Sequence, residues 1–497
     1  MLFVALVLVS ILGDPSHYVI EELSSKQSKP NMSKSLLPTV AASPGSVSLT
    51  QASPKVIFSD DFSGGLSKWT QVSGSWTIES GELNIGSTSY GDYRIIANSG
   101  SVIDGTYEAK LNQKSTLNSM GVLFRVQDGT NFYLLDFADS DKLSLWKCVG
   151  GSYTMLLQTA LTYSYSAWET AKVETTGNVI KAYVNGTLRF TYTDTGYTYM
   201  SGKVGFRRAT ASPNPAHGHY DDAKVTVPGD ITMQNDYSKL VFKSTAQGFY
   251  PVDAYAWNSA NSSYVKIGEA SEIRGKKDTE WGYVISETWY SQSMNWTYQI
   301  SVISNTTSQA AIKIGGMKYA NSRLFKGNLT VTMNQTAVPV RLDTEWTVST
   351  ATTTIYLVGI TNSAFANSIG GVQDLMVIGG WGIYQPNMTF GALNAPKWSE
   401  MGFPMMGVYR NGYGYSFFWD MMQKWDGTRK YPGVQFGALS PSNYFEFDFY
   451  PAPGLEEMNG YTTDQTPSYS WSGTVTGTAY ISVRYSGNTT QALMDSV

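Results

Sequence analysis

Cysteine, histidine and charge are scarce in this 497-residue chain. It has one cysteine, Cys148, and three histidines, while charged residues make up 15% and the formal net charge is −4. A single cysteine excludes an intramolecular disulfide and a cysteine-based metal cluster. The slightly negative charge argues against nucleic acid as a partner, because a nucleic-acid-binding surface is basic.

Long hydrophobic runs are also lacking. Residues 2–12 form an apolar run of eleven residues, which is too short to span a bilayer. It resembles the hydrophobic part of a secretory signal, although no Lys or Arg precedes it. We therefore interpret residues 1–23 as a signal-like apolar segment and expect an extracellular or cell-surface location. Membrane contact is expected only through this segment, if it stays uncleaved.

Nine Asn-x-Ser/Thr motifs agree with export, although a chain rich in Ser and Thr forms several by chance. Asn31 and Asn185 belong to two of them, and Asn185 is better explained as half of an Asn-Gly hairpin turn. The other seven are the predicted glycosylation sites: Asn261, Asn295, Asn305, Asn328, Asn334, Asn387 and Asn488.

What the chain does contain favours an all-β fold. Aromatic residues reach 13%, with 33 Tyr and 14 Trp, and there are 47 Gly, which suits many strands joined by tight turns. Residues 24–55 mix Ser, Lys and Pro with little apolar periodicity, and we interpret them as a flexible stalk. From residue 56 the pattern changes to short alternating runs, each of which buries one face of a strand.

The hairpin around Asn185-Gly186 is the clearest local signal in residues 56–227. Ile-Lys-Ala-Tyr-Val precedes this pair and Thr-Leu-Arg-Phe-Thr-Tyr follows it. Asn-Gly favours the type I′ turn, whose twist matches that of two antiparallel strands. Similar strand-like runs recur at regular spacing, which predicts a sandwich or barrel.

An ordered set of motifs stands at residues 59–69, 80–83, 121–126, 183–187, 202–205 and 220–225. Together these motifs resemble the concanavalin A-like, LamG-type jelly-roll superfamily over residues 56–227. Related modules include the domain of unknown function called 3-keto-disaccharide hydrolase and several carbohydrate-binding modules. The resemblance implies a two-sheet jelly roll with glycan contacts on a concave face or rim.

The resemblance carries over no catalytic motif, since the Glu-x-Asp-x-x-Glu strand of the related glucanases is missing from residues 56–227. It does imply a structural Ca²⁺ near the chain ends of the domain, held by Asp61 and Asp222 with Asp60 and Asp221 as alternates. No other cofactor is expected. His217 and His219 have metal-compatible spacing, but prolines just before them favour a surface loop.

The second half, residues 230–497, resembles no family and has no His or Cys. Ser-His-Asp triads, thiol nucleophiles and His-bound zinc are therefore excluded there. Its alternating runs predict a second large β-sandwich or supersandwich. Carboxylates remain for chemistry, and the candidate catalytic residues are Glu280, Glu345, Asp420 and Asp426.

Aromatic residues stand beside these acids, and aromatic faces stack on the apolar faces of sugars. Asp-Thr-Glu-Trp occurs twice, ending at Trp281 and Trp346. An alternative is that the repeat marks equivalent strand ends and that the tryptophans belong to the core. The candidate ligand-binding residues are Trp281, Trp346, Trp419, Tyr413 and Tyr415.

Three functions fit these observations. The first is an exported carbohydrate-binding protein that recognises a polysaccharide or glycoconjugate through the jelly roll. The second is a secreted glycoside hydrolase or polysaccharide lyase with its active site in the second half. The third is a structural or adhesive cell-surface glycoprotein. Composition alone does not separate these three classes.

Overall fold

The structure is a computed structural model, and every regular element among the residues it describes is a β-strand. The predicted all-β class is therefore confirmed. Contacts divide the chain into residues 1–36 and 37–497, and all described residues lie in the second unit. The described residues are 45–85, 91–113, 118–138, 141–164, 166–210, 218–246, 252–268, 272–273, 276–277, 283–286, 297–320, 323–336, 339–348, 357–364, 374–378, 383–386, 405–419, 423–425, 428–430, 433–439, 444–450 and 473–487.

The strands of the first half are short and are joined by tight turns. They are β1 (Ser48–Gln51), β2 (Lys55–Asp60), β3 (Trp69–Ser73), β4 (Trp76–Glu79), β5 (Glu82–Ile85), β6 (Gly91–Ala97), β7 (Gly105–Gln113), β8 (Asn118–Asp128), β9 (Asn131–Ala138), β10 (Lys142–Val149), β11 (Ser152–Ala160), β12 (Trp168–Thr176), β13 (Val179–Val184), β14 (Thr187–Thr193), β15 (Lys203–Thr210), β16 (Gly218–Val227), β17 (Ile231–Gln234), β18 (Ser238–Phe242), β19 (Val252–Asn258) and β20 (Ser263–Gly268).

The strands of the second half continue the all-β pattern. They are β21 (Glu272–Ile273), β22 (Lys276–Lys277), β23 (Tyr283–Ser286), β24 (Thr297–Asn305), β25 (Gln309–Ala320), β26 (Arg323–Asn334), β27 (Val340–Val348), β28 (Leu357–Ala364), β29 (Asp374–Ile378), β30 (Ile383–Pro386), β31 (Met405–Arg410), β32 (Tyr413–Trp419), β33 (Gln423–Trp425), β34 (Thr428–Lys430), β35 (Gly433–Leu439), β36 (Tyr444–Tyr450) and β37 (Gly473–Tyr485).

Two antiparallel sheets form the jelly roll. The seven-stranded sheet has the order β11-β10-β9-β8-β15-β6-β3, and the eight-stranded sheet has the order β14-β13-β12-β7-β16-β5-β4 with β2 also paired to β16. The predicted Asn-Gly hairpin joins β13 to β14, and both turn residues have positive φ, 50° at Asn185 and 77° at Gly186. A type I′ turn requires that conformation.

The jelly-roll core lies between these two sheets, because alternate side chains of each strand point inward. Strand β7 shows the pattern, with every second residue from Gly105 to Leu111 buried. The aromatic rings of Phe206 and Tyr220 meet in this core with centroids 4.4 Å apart. The single cysteine, Cys148, lies buried outside this core, in a smaller apolar cluster on the other face of the seven-stranded sheet.

A five-stranded sheet of order β1-β17-β18-β19-β20 brackets the jelly roll in sequence. Strand β1 pairs with β17 from Ser48 against Gln234 to Gln51 against Ile231. The last part of the predicted stalk is thus an ordered strand, whereas residues 24–44 lie outside the described residues. At the predicted junction, Asp230 accepts the backbone N–H of Ala52 at 2.8 Å.

The second half is dominated by an eleven-stranded sheet whose main path runs β24-β25-β26-β27-β37-β32-β31-β29-β30. The five-stranded sheet packs on it: Asn258 of β19 donates its amide to the hydroxyl of Tyr413 on β32 at 2.7 Å. Arg484 of β37 lies 4.5 Å from the ring centroid of Tyr237. These contacts form the second sandwich. A four-stranded sheet, β23-β28-β36-β35, completes this half.

Among the residues that the structure describes, none belongs to a helix long and apolar enough to cross a membrane.

Candidate functional site

A polar row crosses the outer face of the seven-stranded sheet, the face turned away from the core. Pairing between neighbouring strands places one residue from each of six strands side by side, because side chains at facing positions share a face. In sheet order from β6 to β11 the row consists of Arg94, Arg207, Gly121, Asp136, Ser144 and Gln158.

The sheet is strongly curved, and this outer face is its concave side. The hydroxyl of Tyr153 on β11 donates to Oδ2 of Asp92 on β6 at 2.6 Å. Five strand spacings separate these strands in the sheet order, which would amount to about 24 Å in a flat sheet. Twist and curvature therefore bring the two ends of the sheet together over the polar row.

Arg207 is the centre of the row, because its guanidinium contacts three polar side chains. Its Nε lies 2.9 Å from Oδ1 of Asp92, and its Nη1 lies 3.3 Å from Oδ1 of Asp136. The same Nη1 donates to Oγ of Ser119 at 2.8 Å, and Ser119 in turn donates to Asp136. Arg94 adds a second ion pair to Asp92 at 3.2 Å. One arginine thus holds two carboxylates in fixed positions.

Burial changes the proton affinities of this cluster. Burial raises the pKa of Asp136, although the positive charge of Arg207 and the hydrogen bond from Ser119 oppose the shift. Burial lowers the pKa of Arg207, but Asp136 and Asp92 outweigh it and the net pKa shift is upward. Burial also raises the pKa of Tyr153. Arg207 and Tyr153 therefore keep their protons throughout the ordinary pH range.

An apolar floor supports the polar groups. The next row toward the other end of the strands includes Leu123 and Leu134, which are fully buried beneath the arginines. Gly121 makes room for this packing: a Cβ there would lie 2.4 Å from Cδ1 of Leu134 and 2.5 Å from the carbonyl oxygen of Leu135. Arg94 lies 5.5 Å from the ring centroid of Phe132 and so covers part of this floor.

Trp146 stands on the same face, two residues beyond Ser144 on β10. Its ring centroid is 6.4 Å from that of Tyr153, edge to face. Its indole Nε1 is buried and has no hydrogen-bond partner among the described residues. A buried indole N–H usually has a partner, so this donor is suited to a ligand that enters the concave face.

The jelly roll and its concave face lie in a segment of the chain that matches a known family model. Residues 55–243 match the family model of the 3-keto-alpha-glucoside-1,2-lyase-like domain. This match confirms the family resemblance and extends beyond residue 227 through β17 and β18 of the five-stranded sheet. The concave face described above lies entirely within these matched residues. No curated protein matches the chain.

Solved structures similar to the chain include two from Bacillus and one from Pyrococcus. The carbohydrate-binding module CBM66 from Bacillus subtilis is 21% identical, covering 33% of this chain and 97% of the module, with a TM-score of 0.29. A β-glucanase from Bacillus licheniformis is 19% identical, covering 35% and 99%, with a TM-score of 0.28. An endo-β-1,3-glucanase from Pyrococcus furiosus is 14% identical, covering 36% and 99%, with a TM-score of 0.30.

The structure describes five of the nine acids and aromatics singled out from the second half, and these five lie on β27 and β32 of the eleven-stranded sheet. Glu345 on β27 is exposed, and its Oε1 accepts the amide of Asn328 at 2.8 Å. Tyr413 is buried against Asn258 and Tyr485, where the two sheets pack together. Trp346, Tyr415 and Trp419 lie on β27 and β32. The remaining candidates, Glu280, Trp281, Asp420 and Asp426, lie outside the described residues.

The predicted glycosylation sites differ in exposure. Asn261 is exposed in the turn between β19 and β20. Asn305, Asn328 and Asn334 are half-buried on strands and make side-chain hydrogen bonds. Glycosylation at these positions stays a prediction. The predicted sites at Asn295, Asn387 and Asn488 lie outside the described residues.

The predicted calcium ligands lie at the end of one ladder. Asp60, the last residue of β2, pairs with Ala223, so Asp61 directly follows β2 and Asp222 is the neighbouring residue on β16. Asp222 has a φ of 50° in a bulge, and its Oδ2 lies 2.5 Å from Nζ of Lys110. Oxygen donors that Ca²⁺ prefers are thus present, but an ammonium group contacts one of them. In the described part of the chain, no three His, Cys, Asp or Glu side chains group closely enough to hold a metal.

The family resemblance implied glycan contacts on a concave face or rim, but sequence reasoning did not identify the residues of this face. His219, which it weighed as a metal ligand, lies on β16 with Nδ1 2.7 Å from Oε2 of Glu82, and His217 lies outside the described residues. The signals for the concave face were polar residues within otherwise apolar strands, such as Asp136 in Phe-Tyr-Leu-Leu-Asp-Phe and Arg207 in Val-Gly-Phe-Arg-Arg.

Proposed function

We propose that the jelly roll binds a saccharide on the concave face of its seven-stranded sheet. The observation that carries the proposal is the contact of Arg207 with Asp92 and Asp136 on that face. Guanidinium and carboxylate groups pair with sugar hydroxyls, and a small set of fixed polar groups orients a bound ring. The family description for residues 55–243 names a sugar derivative, which supports a sugar-related function.

The aromatic side chains of the face complete the binding surface. Tyr153 lies with its ring 5.3 Å from the Arg207 guanidinium, and Trp146 stands beside it. An aromatic ring stacks on the apolar face of a pyranose while nearby polar groups accept its hydroxyls. The ligand class we propose is therefore a polysaccharide or glycoconjugate. An extracellular setting is part of the proposal, supported by the signal-like residues 2–12 and the Asn-x-Ser/Thr motifs.

A second candidate function, cleavage of a sugar derivative, is favoured by the raised pKa of Asp136. In a 3-keto-glucoside the carbonyl acidifies the hydrogen on C2. A base takes that proton, the C1–O bond breaks, and the departing oxygen takes up a proton from an acid. A carboxyl whose pKa is raised keeps its proton to higher pH and is suited to that last role.

A glycan array probed with the full chain tests the binding proposal. Trp146→Ala should lose the glycans that the unaltered protein retains, because it removes both the stacking surface and the Nε1 donor. Trp168→Ala is the matched control, since Trp168 is an exposed tryptophan on the eight-stranded sheet. Retention unchanged by Trp146→Ala would contradict the proposal. So would retention of no glycan, particularly alongside ordered self-assembly, which the structural alternative predicts.

Turnover separates binding from cleavage. The same protein is incubated with 3-keto-glucosides and with a polysaccharide panel, and products are followed by ultraviolet absorbance and reducing-sugar release. Cleavage that Asp136→Asn abolishes, with ligand affinity retained, would establish the second function. Affinity without any product would leave the jelly roll as a binding module.

A further inference from the structure

The outer face of the five-stranded sheet carries a second group of aromatic and charged side chains. Its inner face packs on the eleven-stranded sheet through Asn258, and residues of odd number on β19 point the opposite way. Pairing places Lys239 opposite Tyr255, and Trp257 opposite Tyr264, on this outer face.

Lys239 lies against two aromatic rings. Its Nζ is 4.1 Å from the ring centroid of Tyr255 and 5.0 Å from that of Tyr264. The Tyr264 ring contacts Trp257 edge to face, with centroids 5.0 Å apart. Tyr264 is fixed in turn by a hydrogen bond from its hydroxyl to the carbonyl of Asn235. The lysine is thus held in place, and no described carboxylate forms an ion pair with it.

Lysine side chains and one buried carboxylate lie near this aromatic group. Asp253 on β19 is buried, and its Oδ2 lies 2.6 Å from Nζ of Lys243 and 3.4 Å from Nζ of Lys266. Two ammonium groups therefore contact this carboxylate, and Lys239 lies within reach of its charge. Burial lowers the pKa of Lys239, with the charge of Asp253 opposing the shift, so an approaching anion would offset the desolvation of this ammonium.

We propose that this outer face is a second binding site, for an acidic glycan whose uronate carboxylates pair with Lys239 while a sugar ring stacks on Trp257. The site is separate from the concave face and does not depend on the function proposed there. A ligand carboxylate complements the positive charge of Lys239, and a pyranose ring matches the aromatic surface.

The alternation of charge and ring faces favours an acidic glycan over a nucleic acid. The formal net charge is −4, so any polyanion meets general repulsion and is attracted only by this local positive patch. A uronate chain carries one charge per sugar and places apolar ring faces between its charges. That alternation matches lysines interleaved with aromatic side chains.

Titration calorimetry of the full chain with trigalacturonate, and with its neutral methyl ester, tests the proposal. We expect the acid to bind and the ester to bind at least about tenfold more weakly, the factor that about 1.4 kcal/mol represents. Lys239→Met and Trp257→Ala should each weaken binding of the acid by about tenfold. Lys239→Arg should restore it, which shows that the loss in Lys239→Met is not a folding defect.

Lys172→Met is the matched control. Lys172 also lies over a tyrosine, with Nζ 4.0 Å from the Tyr183 ring centroid, but it forms an ion pair with Glu174 at 2.7 Å. Trigalacturonate affinity unchanged in Lys172→Met would support the assignment to the outer face. Equal affinity for acid and ester, no binding of the acid, or binding unaffected by Lys239→Met would overturn the proposal, whatever happens at the concave face.

Discussion

The hydroxyl of Tyr220 lies directly beneath the polar row and links two of its members. Tyr220 comes from β16 of the opposite sheet, accepts the backbone N–H of Gly121 at 3.3 Å and donates to the carbonyl of Arg207. Gly121 and Arg207 face each other on β8 and β15. One core tyrosine therefore connects the packing of the sandwich to the geometry of the concave face.

Tyr220→Phe tests this connection. The change keeps the ring in the core but leaves the N–H of Gly121 and the carbonyl of Arg207 without this partner. We expect a loss of about 1–2 kcal/mol in the free energy of unfolding, measured by urea denaturation. Tyr183→Phe is the control. It removes a partly buried hydroxyl that donates to Glu174 at 2.7 Å and should lower the free energy of unfolding by less. Equal losses in the two variants would contradict the structural role of the Tyr220 hydroxyl.

Asp136 should make folding stability depend on pH. Its pKa in the folded protein is raised above the ordinary value of 3.8 by burial. The stability contribution of such a group is complete below the unfolded-state pKa and is lost as pH rises through the raised folded-state pKa. The free energy of unfolding should therefore fall relative to that of Asp136→Asn as pH increases above 3.8. Urea denaturation of both proteins at several pH values measures this difference. A difference in unfolding free energy that stayed constant with pH would contradict the prediction.

Arg125 is a buried structural cation whose removal should be costly. Its guanidinium is fully buried and donates to the carbonyls of Gly177 at 2.5 Å, Tyr199 at 3.1 Å and Ile103 at 3.3 Å. We expect Arg125→Met to lose about 3–5 kcal/mol, because several buried carbonyls lose their donors. Arg189→Met removes an exposed arginine and should change stability by no more than about 0.5 kcal/mol. Equal melting temperatures of Arg125→Met and Arg189→Met would contradict this prediction.

Calcium binding at Asp61 and Asp222 has to compete with Lys110. We predict that Ca²⁺ raises the melting temperature more in Lys110→Met than in the unaltered chain, since the variant removes the ammonium beside Asp222. EDTA should reverse the rise, and Asp222→Asn should abolish it. If neither Ca²⁺ nor EDTA changed the melting temperature of Lys110→Met, the prediction of a calcium site would be wrong.

The all-β class and the jelly roll could be predicted from sequence because their signals are local. Alternation and the Asn185-Gly186 pair fix strands and a hairpin over a few neighbouring residues. Strand β1 was interpreted as stalk because its partner, β17, lies about 180 residues further along the chain, beyond the jelly roll. Pairing at such a distance leaves no local pattern.

The residues that line the concave face were not predictable for a related reason. Asp136 and Arg207 become neighbours only when β8, β9 and β15 pair in the observed register. A shift of one residue would turn these side chains toward the core. Sequence reasoning instead weighed acids beside tryptophans, such as Glu345 beside Trp346, because these residues are adjacent in sequence.

The most direct test of the proposed saccharide site is calorimetric titration of Arg207→Met with the best glycan from the array. Because this variant lacks the buried guanidinium donor of Arg207, its binding should be weaker by at least about tenfold. Arg189→Met, at an exposed arginine on β14, should bind as the unaltered protein does, and circular dichroism should show both variants folded. If folded Arg207→Met bound the glycan as tightly as the unaltered protein, the concave face would not be the saccharide site.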